Sequence, residues 1–149
     1  MKVILFQPQI PQNTGNIVRT CAVSGCSLIL VRPLGFSVTS RWLKRAGLDY
    51  WEDVDVSFLD NLDDFLKTST KNFYFFSSKV EQRYTELSYT KDSILIFGSE
   101  TNGLPEHLSK QWPERFANIP MISGARCLNL ATSVGIVIYE ALRQQNFEF

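Results

Sequence analysis

The chain has 149 residues, 44% of them hydrophobic and 20% charged, and its fifteen basic and fifteen acidic side chains cancel. That is the composition of one globular domain with enough chain to bury a core. No apolar run approaches the roughly 18 residues that a bilayer-spanning helix needs, and residues 1–6 lack the long apolar region and cleavage site of a signal peptide. Three cysteines (Cys21, Cys26, Cys127) without a CxxC pair, and a lone His107, argue against a structural zinc site and for reduced thiols in a cytoplasmic protein.

The charge is unevenly placed. Residues 1–50 hold six basic side chains and one acid, a net of +5, while residues 51–149 hold nine basic and fourteen acidic, a net of −5. Such an asymmetry can put a basic patch on a neutral protein. On charge alone, a solvated helix face is the favoured explanation.

In chain order, residues 3–6 form a short apolar run of strand type, and the prolines at 8 and 11 mark a loop. Asn13 or Thr14 is placed to cap a helix carrying Ile17, Val18, Cys21 and Ala22 at helical spacing. A second strand covers 28–31 and ends at Arg32-Pro33-Leu34-Gly35. A basic helix is predicted over 40–46, a third strand over 54–58 and an amphipathic helix over 59–68. Residues 73–76, 94–97 and 116–119 are apolar runs of buried-strand type, the last preceded by a short helix with Pro105 near its first turn. The closing helix is predicted over 129–144. Short apolar strands alternating with helices indicate an α/β fold with a parallel sheet. The closing helix is apolar nearly all round from Val134 to Leu142, so it is either buried within the chain or covered by a second copy.

Three segments carry chemistry. Asn13-Thr14-Gly15-Asn16-Ile17-Val18-Arg19 sets polar side chains and an arginine at a helix start, which suits an anion or an ordinary cap. Gly98-Ser99-Glu100-Thr101-Asn102-Gly103 follows a strand and lets a ligand approach the backbone, without GxGxxG or Walker spacing. Arg126-Cys127-Leu128-Asn129 opens the final helix. Cys127 lacks a nearby base in the sequence, which counts against cysteine catalysis, and Asn129 suits a cap or a ligand-facing amide.

Taken together, NTGNIVR (13–19), IFGSETNGLP (96–105) and IPMISGARCLNLATSVGIVIYEALRQ (119–144) resemble the three signature motifs of the SPOUT (SpoU-type) RNA 2′-O-methyltransferases. Order and spacing also fit. With Pro33-Leu34-Gly35-Phe36 and the segment from Arg45 to Tyr50, the similarity covers almost the whole chain. The short length looks most like the tRNA (cytidine/uridine-34) 2′-O-methyltransferases.

The resemblance implies a single SPOUT domain over 1–149 whose parallel sheet ends in a deep C-terminal trefoil knot. It implies a homodimer packed through the first and last helices. It also implies methyl transfer from S-adenosylmethionine to the ribose 2′-OH of the wobble nucleotide in the tRNA anticodon stem-loop, leucine tRNAs among the substrates, leaving S-adenosylhomocysteine. It implies neither a metal nor a membrane partner. The alternatives are a different tRNA or rRNA site, or an RNA- or cofactor-binding protein without turnover.

By position, the cofactor residues would be Phe76, Ser77, Gly98, Ile119, Met121, Cys127 and Leu128, and the catalytic group Arg19 with Asn13, Glu100 and Asn129. Arg41, Lys44 and Arg45 would hold RNA, with Trp42, Tyr50 and Trp51 able to stack bases. One departure stands out. Where the third motif usually reads Arg-Ser-Leu-Asn-Leu-Ser-Asn, this chain has Cys127, Ala131 and Thr132.

Overall fold

A computed structural model gives the structure of the protein and describes residues 1–38 and 50–149. The predicted helix over 40–46, and with it Arg41, Trp42, Lys44 and Arg45, lies outside the described residues.

Six parallel strands form one sheet: β1 (Lys2–Phe6), β2 (Ser27–Val31), β3 (Val56–Leu59), β4 (Phe73–Phe76), β5 (Ile94–Phe97) and β6 (Phe116–Ala117). Their spatial order is β3-β2-β1-β5-β4-β6. The helices are α1 (Pro11–Ser24), α2 (Leu62–Thr68), α3 (Glu106–Gln111) and α4 (Leu130–Gln144). Among the described residues, no helix is long and apolar enough to cross a membrane.

Strand residues alternate between two cores, as a period of two demands. Val3, Leu5, Leu28, Leu30, Leu95 and Phe97 pack with Ile17, Val18 and Cys21 of α1 and with Val134, Val137, Ile138 and Ala141 of α4. Ile4, Ile29, Phe73, Phe75, Ile94 and Ile96 face the opposite way, onto Leu62 and Leu66 of α2 and Leu108 of α3. Both faces of the sheet are therefore covered, which is why its strands read as continuous apolar runs.

Several expected boundaries move, each for a local reason. The first helix begins at Pro11, with Ile10 at its N-cap position and no side-chain cap. Asn13 and Thr14 lie inside its first turn. Proline suits that start because its missing N–H would have no intrahelical partner there. The strand expected over 116–119 has only two ladder residues, and its neighbour Asn118 forms a bridge to Arg83. The helix expected over 59–68 starts at Leu62, where the Asn61 side chain accepts from the Asp64 N–H. On α4, Val134, Val137, Ile138, Ala141 and Leu142 are buried within the chain, while Tyr139 is 48% exposed.

A candidate ligand site at the strand ends

Parallel strands all point one way, so the loops that follow them gather at one edge. That edge is where open α/β sheets place their ligands. Here the loops after β4, β5 and β6 enclose a cavity of about 430 Å³, within the range of small-molecule and cofactor sites. Phe76, Ser77, Gly98, Ile119, Met121, Cys127 and Leu128 all line it, together with Asn13, Glu100 and Asn129. The structure thus brings together ten of the residues singled out in the sequence, from segments up to 116 positions apart.

The loop after β5 is built around Gly98. Ser99 and Gly103 exchange backbone hydrogen bonds of 3.2 and 3.0 Å, closing a tight turn whose Gly103 has φ +68. A Cβ on Gly98 would overlap the carbonyl carbon of Gly103 and the nitrogen of Leu104. Only glycine permits this turn to fold back against the strand end.

Glu100 reaches from that loop to the entry of α1. Its carboxylate accepts from the Gln9 N–H at 2.8 Å, the Ile10 N–H at 3.2 Å and Asn13 Nδ2 at 2.9 Å. The Oδ1 of Asn13 accepts in turn from Asn129 Nδ2 at 2.9 Å. Asn129 Oδ1 then caps α4, accepting from the N–H groups of Ala131 at 2.8 Å and Thr132 at 3.4 Å. The sequence left cap and ligand-facing amide open for Asn129; the structure makes it the cap, at a position that also lines the cavity. The cap fixes the rest of the chain. With Oδ1 of Asn129 facing N–H groups, its Nδ2 must donate to Asn13, whose own Nδ2 must donate to Glu100.

Cys127 Sγ lies 3.4 Å from Ser78 Oγ, so the segment before α4 touches the loop after β4. Cys127 is exposed, whereas Cys21 and Cys26 are buried. Burial, with Cys26 nearby as the next cause, pushes the Cys21 thiol far up, and burial also raises Cys26. His107 stands apart, with Nε2 2.8 Å from Asp63 Oδ1, and it does not line the cavity.

Of the four catalytic candidates, Arg19 does not join the group. It is exposed on α1, with its guanidinium carbon 5.2 Å from the centre of the Tyr50 ring, and it does not line the cavity. Tyr50 and Trp51 are half-buried against the core. Ser78, Lys79 and Ile10 were not singled out in the sequence, yet they line the cavity. For Ser78 and Lys79 the available signal is that they follow β4 just as the glycine loop follows β5.

The fold and site define a parallel α/β protein whose ligand cavity is made by three consecutive strand-end loops and closed by an amide–carboxylate chain. The profile of the SpoU rRNA Methylase family matches residues 1–139, and the chain belongs to that family. A Geobacillus stearothermophilus relative, provisionally named tRNA (cytidine(34)-2′-O)-methyltransferase, is 46% identical over 151 residues, covering 99% of this chain and 96% of its own. A solved structure described as "Structural insights into the 2-OH methylation of C/U34 on tRNA" superposes with a TM-score of 0.91 at 42% identity, covering 99% of this chain and 97% of that one. An AdoMet-bound rRNA methyltransferase from Sinorhizobium meliloti matches with a TM-score of 0.84 at 26% identity, over 95% of this chain and 55% of its own.

Proposed function

We propose that this chain is a cytoplasmic S-adenosylmethionine-dependent methyltransferase that modifies the ribose 2′-OH of tRNA nucleotide 34, cytidine or uridine, leucine tRNAs among its substrates. What carries this reading is the wall of one cavity, where the Asn129–Asn13–Glu100 chain stands beside Phe76, Ser77, Gly98, Ile119, Met121, Cys127 and Leu128. The near-full-length similarity to the cytidine-34 methyltransferase relative supports the substrate. Residues 1–149 would act as one domain.

The cavity suits the cofactor. Its size is adequate, its apolar side chains Phe76, Ile119 and Leu128 can flank a flat base, and Ser77 and Ser99 offer hydroxyls for polar groups. When bound, S-adenosylmethionine would supply an electrophilic methyl group on a sulfonium, and no metal is required. The protein must then align a ribose 2′-oxygen with that carbon and assist loss of a weakly acidic proton. Arg19, whose guanidinium does not deprotonate in proteins, would orient a substrate phosphate and stabilise negative charge developing on the oxygen. Asn13, Glu100 and Asn129 would hold the loops in register around the reacting groups.

The homodimer packed through α1 and α4 belongs to the same reading. It is supported by Tyr139 at 48% and Val23 at 55% exposure on those two helices. Because Arg19 stands on α1 outside the cavity of its own chain, the dimer is what would carry it to a reacting ribose. The C-terminal trefoil knot is also part of the proposal. After β5 the chain passes β4 to form β6 at the sheet edge, then returns to pack α4 over Leu95 and Phe97 of β5.

Labelled methyl transfer to total tRNA, followed by nucleoside mapping, tests the reading. Label at position 34 is expected. Methylation confined to ribosomal RNA would overturn the substrate, and cofactor binding without any transfer would favour a binding protein without turnover. Arg19→Ala should abolish transfer while calorimetric cofactor binding survives. Loss of both together would count against the assigned role.

A further inference from the structure

Lys79 and Arg126 are cations without a counter-ion among the described residues. Seven of the ten other described lysines and arginines have a carboxylate within 4 Å, among them Arg32 with Asp60, Lys71 with Asp92 and Arg143 with Glu140, and Lys2, Arg19 and Arg83 have none among the described residues. Lys79 and Arg126 make no such pair among the described residues, and both side chains are exposed. The carboxylate on the cavity wall, Glu100, is already engaged by three N–H donors. The two cations sit on loops that touch. The 3.4 Å contact between Ser78 and Cys127 joins their loops, and Lys79 and Arg126 are the immediate chain neighbours of that contacting pair.

Like charges beside one contact, with no compensating acid among the described residues, raise the energy of the free protein and favour an anion. We propose that Lys79 and Arg126 form a phosphate clamp at the cavity mouth, gripping the backbone of the unpaired RNA strand next to the nucleotide being modified. This rests on the RNA methyltransferase reading above and adds a contact to it. An anionic group of the cofactor fits less well, because Lys79 lines the cavity whereas Arg126 does not. A ligand touching both must extend beyond the mouth, as a polynucleotide strand does. The segment bearing Arg126 also exposes Ile122 (84%) and Leu128 (39%), apolar surface on which an unstacked base can lie while its phosphate meets the cations.

The experiment is an anisotropy titration of labelled, unmodified tRNA with the full chain saturated in S-adenosylhomocysteine, repeated across a series of potassium chloride concentrations. Lys79→Ala and Arg126→Ala should each weaken binding several-fold at low salt. Each should flatten the plot of log affinity against log salt by about 0.7, the counter-ion release of one single-stranded phosphate contact. Lys79→Arg and Arg126→Lys should restore the slope, because the effect is one of charge.

Unchanged slopes in both alanine variants would overturn the clamp. So would an intact slope with weakened S-adenosylmethionine binding by calorimetry, which would make Lys79 a cofactor ligand. An intact slope with a changed mass by light scattering would make the rim a contact between copies of the chain. Failure of the unmodified protein to bind any RNA while still binding S-adenosylmethionine would instead sink the underlying function, so the two failures are distinct.

Discussion

Glu100→Gln is the substitution that most directly probes how the site is assembled. The wild-type carboxylate receives three donors, with Ile10 N–H and Asn13 Nδ2 on Oε1 and Gln9 N–H on Oε2. A glutamine has one acceptor oxygen. If that oxygen keeps Ile10 and Asn13, its NH₂ group faces the Gln9 N–H, donor against donor. The reverse orientation loses two bonds, and the fixed direction of the Asn129–Asn13 link prevents Asn13 from rotating to compensate. Hydrogen bonds to a charged group contribute about 1.5–3 kcal/mol each. Glu100 is half-buried, so solvent replaces part of the loss, and we expect a destabilisation of about 2 kcal/mol. For a chain of this size that lowers Tm by roughly 5 °C.

Urea unfolding followed by circular dichroism measures it, and methyl transfer should fall with it because the loops after β1 and β5 lose their tie. A double-mutant cycle with Asn13→Ala should give a coupling of about 1 kcal/mol, as expected for directly bonded partners. An unfolding free energy for Glu100→Gln equal to wild type, or strict additivity with Asn13→Ala, would refute the network as a structural unit.

Gly98→Ala forces the turn at Gly103 and Leu104 away from the strand end, so calorimetry should find cofactor affinity reduced at least tenfold while the far-ultraviolet spectrum is kept. A thiol reagent should modify one of the three cysteines quickly in the native protein, Cys127, because Cys21 and Cys26 are buried with raised pKa values. S-adenosylmethionine should slow that reaction, as Cys127 lines the cavity. Glu140 is buried and hydrogen-bonded to Arg143 at 2.7 and 2.9 Å, which, with Gln144, holds its pKa below the ordinary carboxylate value. A depressed folded-state pKa stabilises above the unfolded value of about 4.3 and is lost as pH falls through the folded one. Acid unfolding curves of Glu140→Gln should accordingly be flatter than wild type below about pH 4.3, and identical pH dependence would remove Glu140 from the acid transition.

The sequence by itself determined the strands, the helices among the described residues and the three loops that carry chemistry. Those signals are local: apolar runs of four or five residues, helical spacing of Ile17, Val18 and Cys21, and polar residues at strand ends. The family resemblance added which of these residues share a site, and ten of them do line one cavity. Boundaries were less legible where a side chain is recruited by a distant partner. Asn13 reads as a helix cap because asparagine commonly is one, but Glu100, 87 positions away, takes its amide inside the first turn.

Only the tertiary structure decided what no local pattern encodes. It set the strand order β3-β2-β1-β5-β4-β6, which puts β4 and β5 side by side so that their loops share a wall. It fixed the direction of the Asn129–Asn13–Glu100 chain. It left Arg19 over Tyr50 rather than in the cavity of its own chain. It also placed Lys79 and Arg126 beside one loop contact without a neutralising acid among the described residues. Secondary structure follows from backbone preference and apolar period over a few residues. Which side chains meet, and which charges stay unpaired, depends on how both faces of a sheet are covered, and that is settled only when the whole core packs.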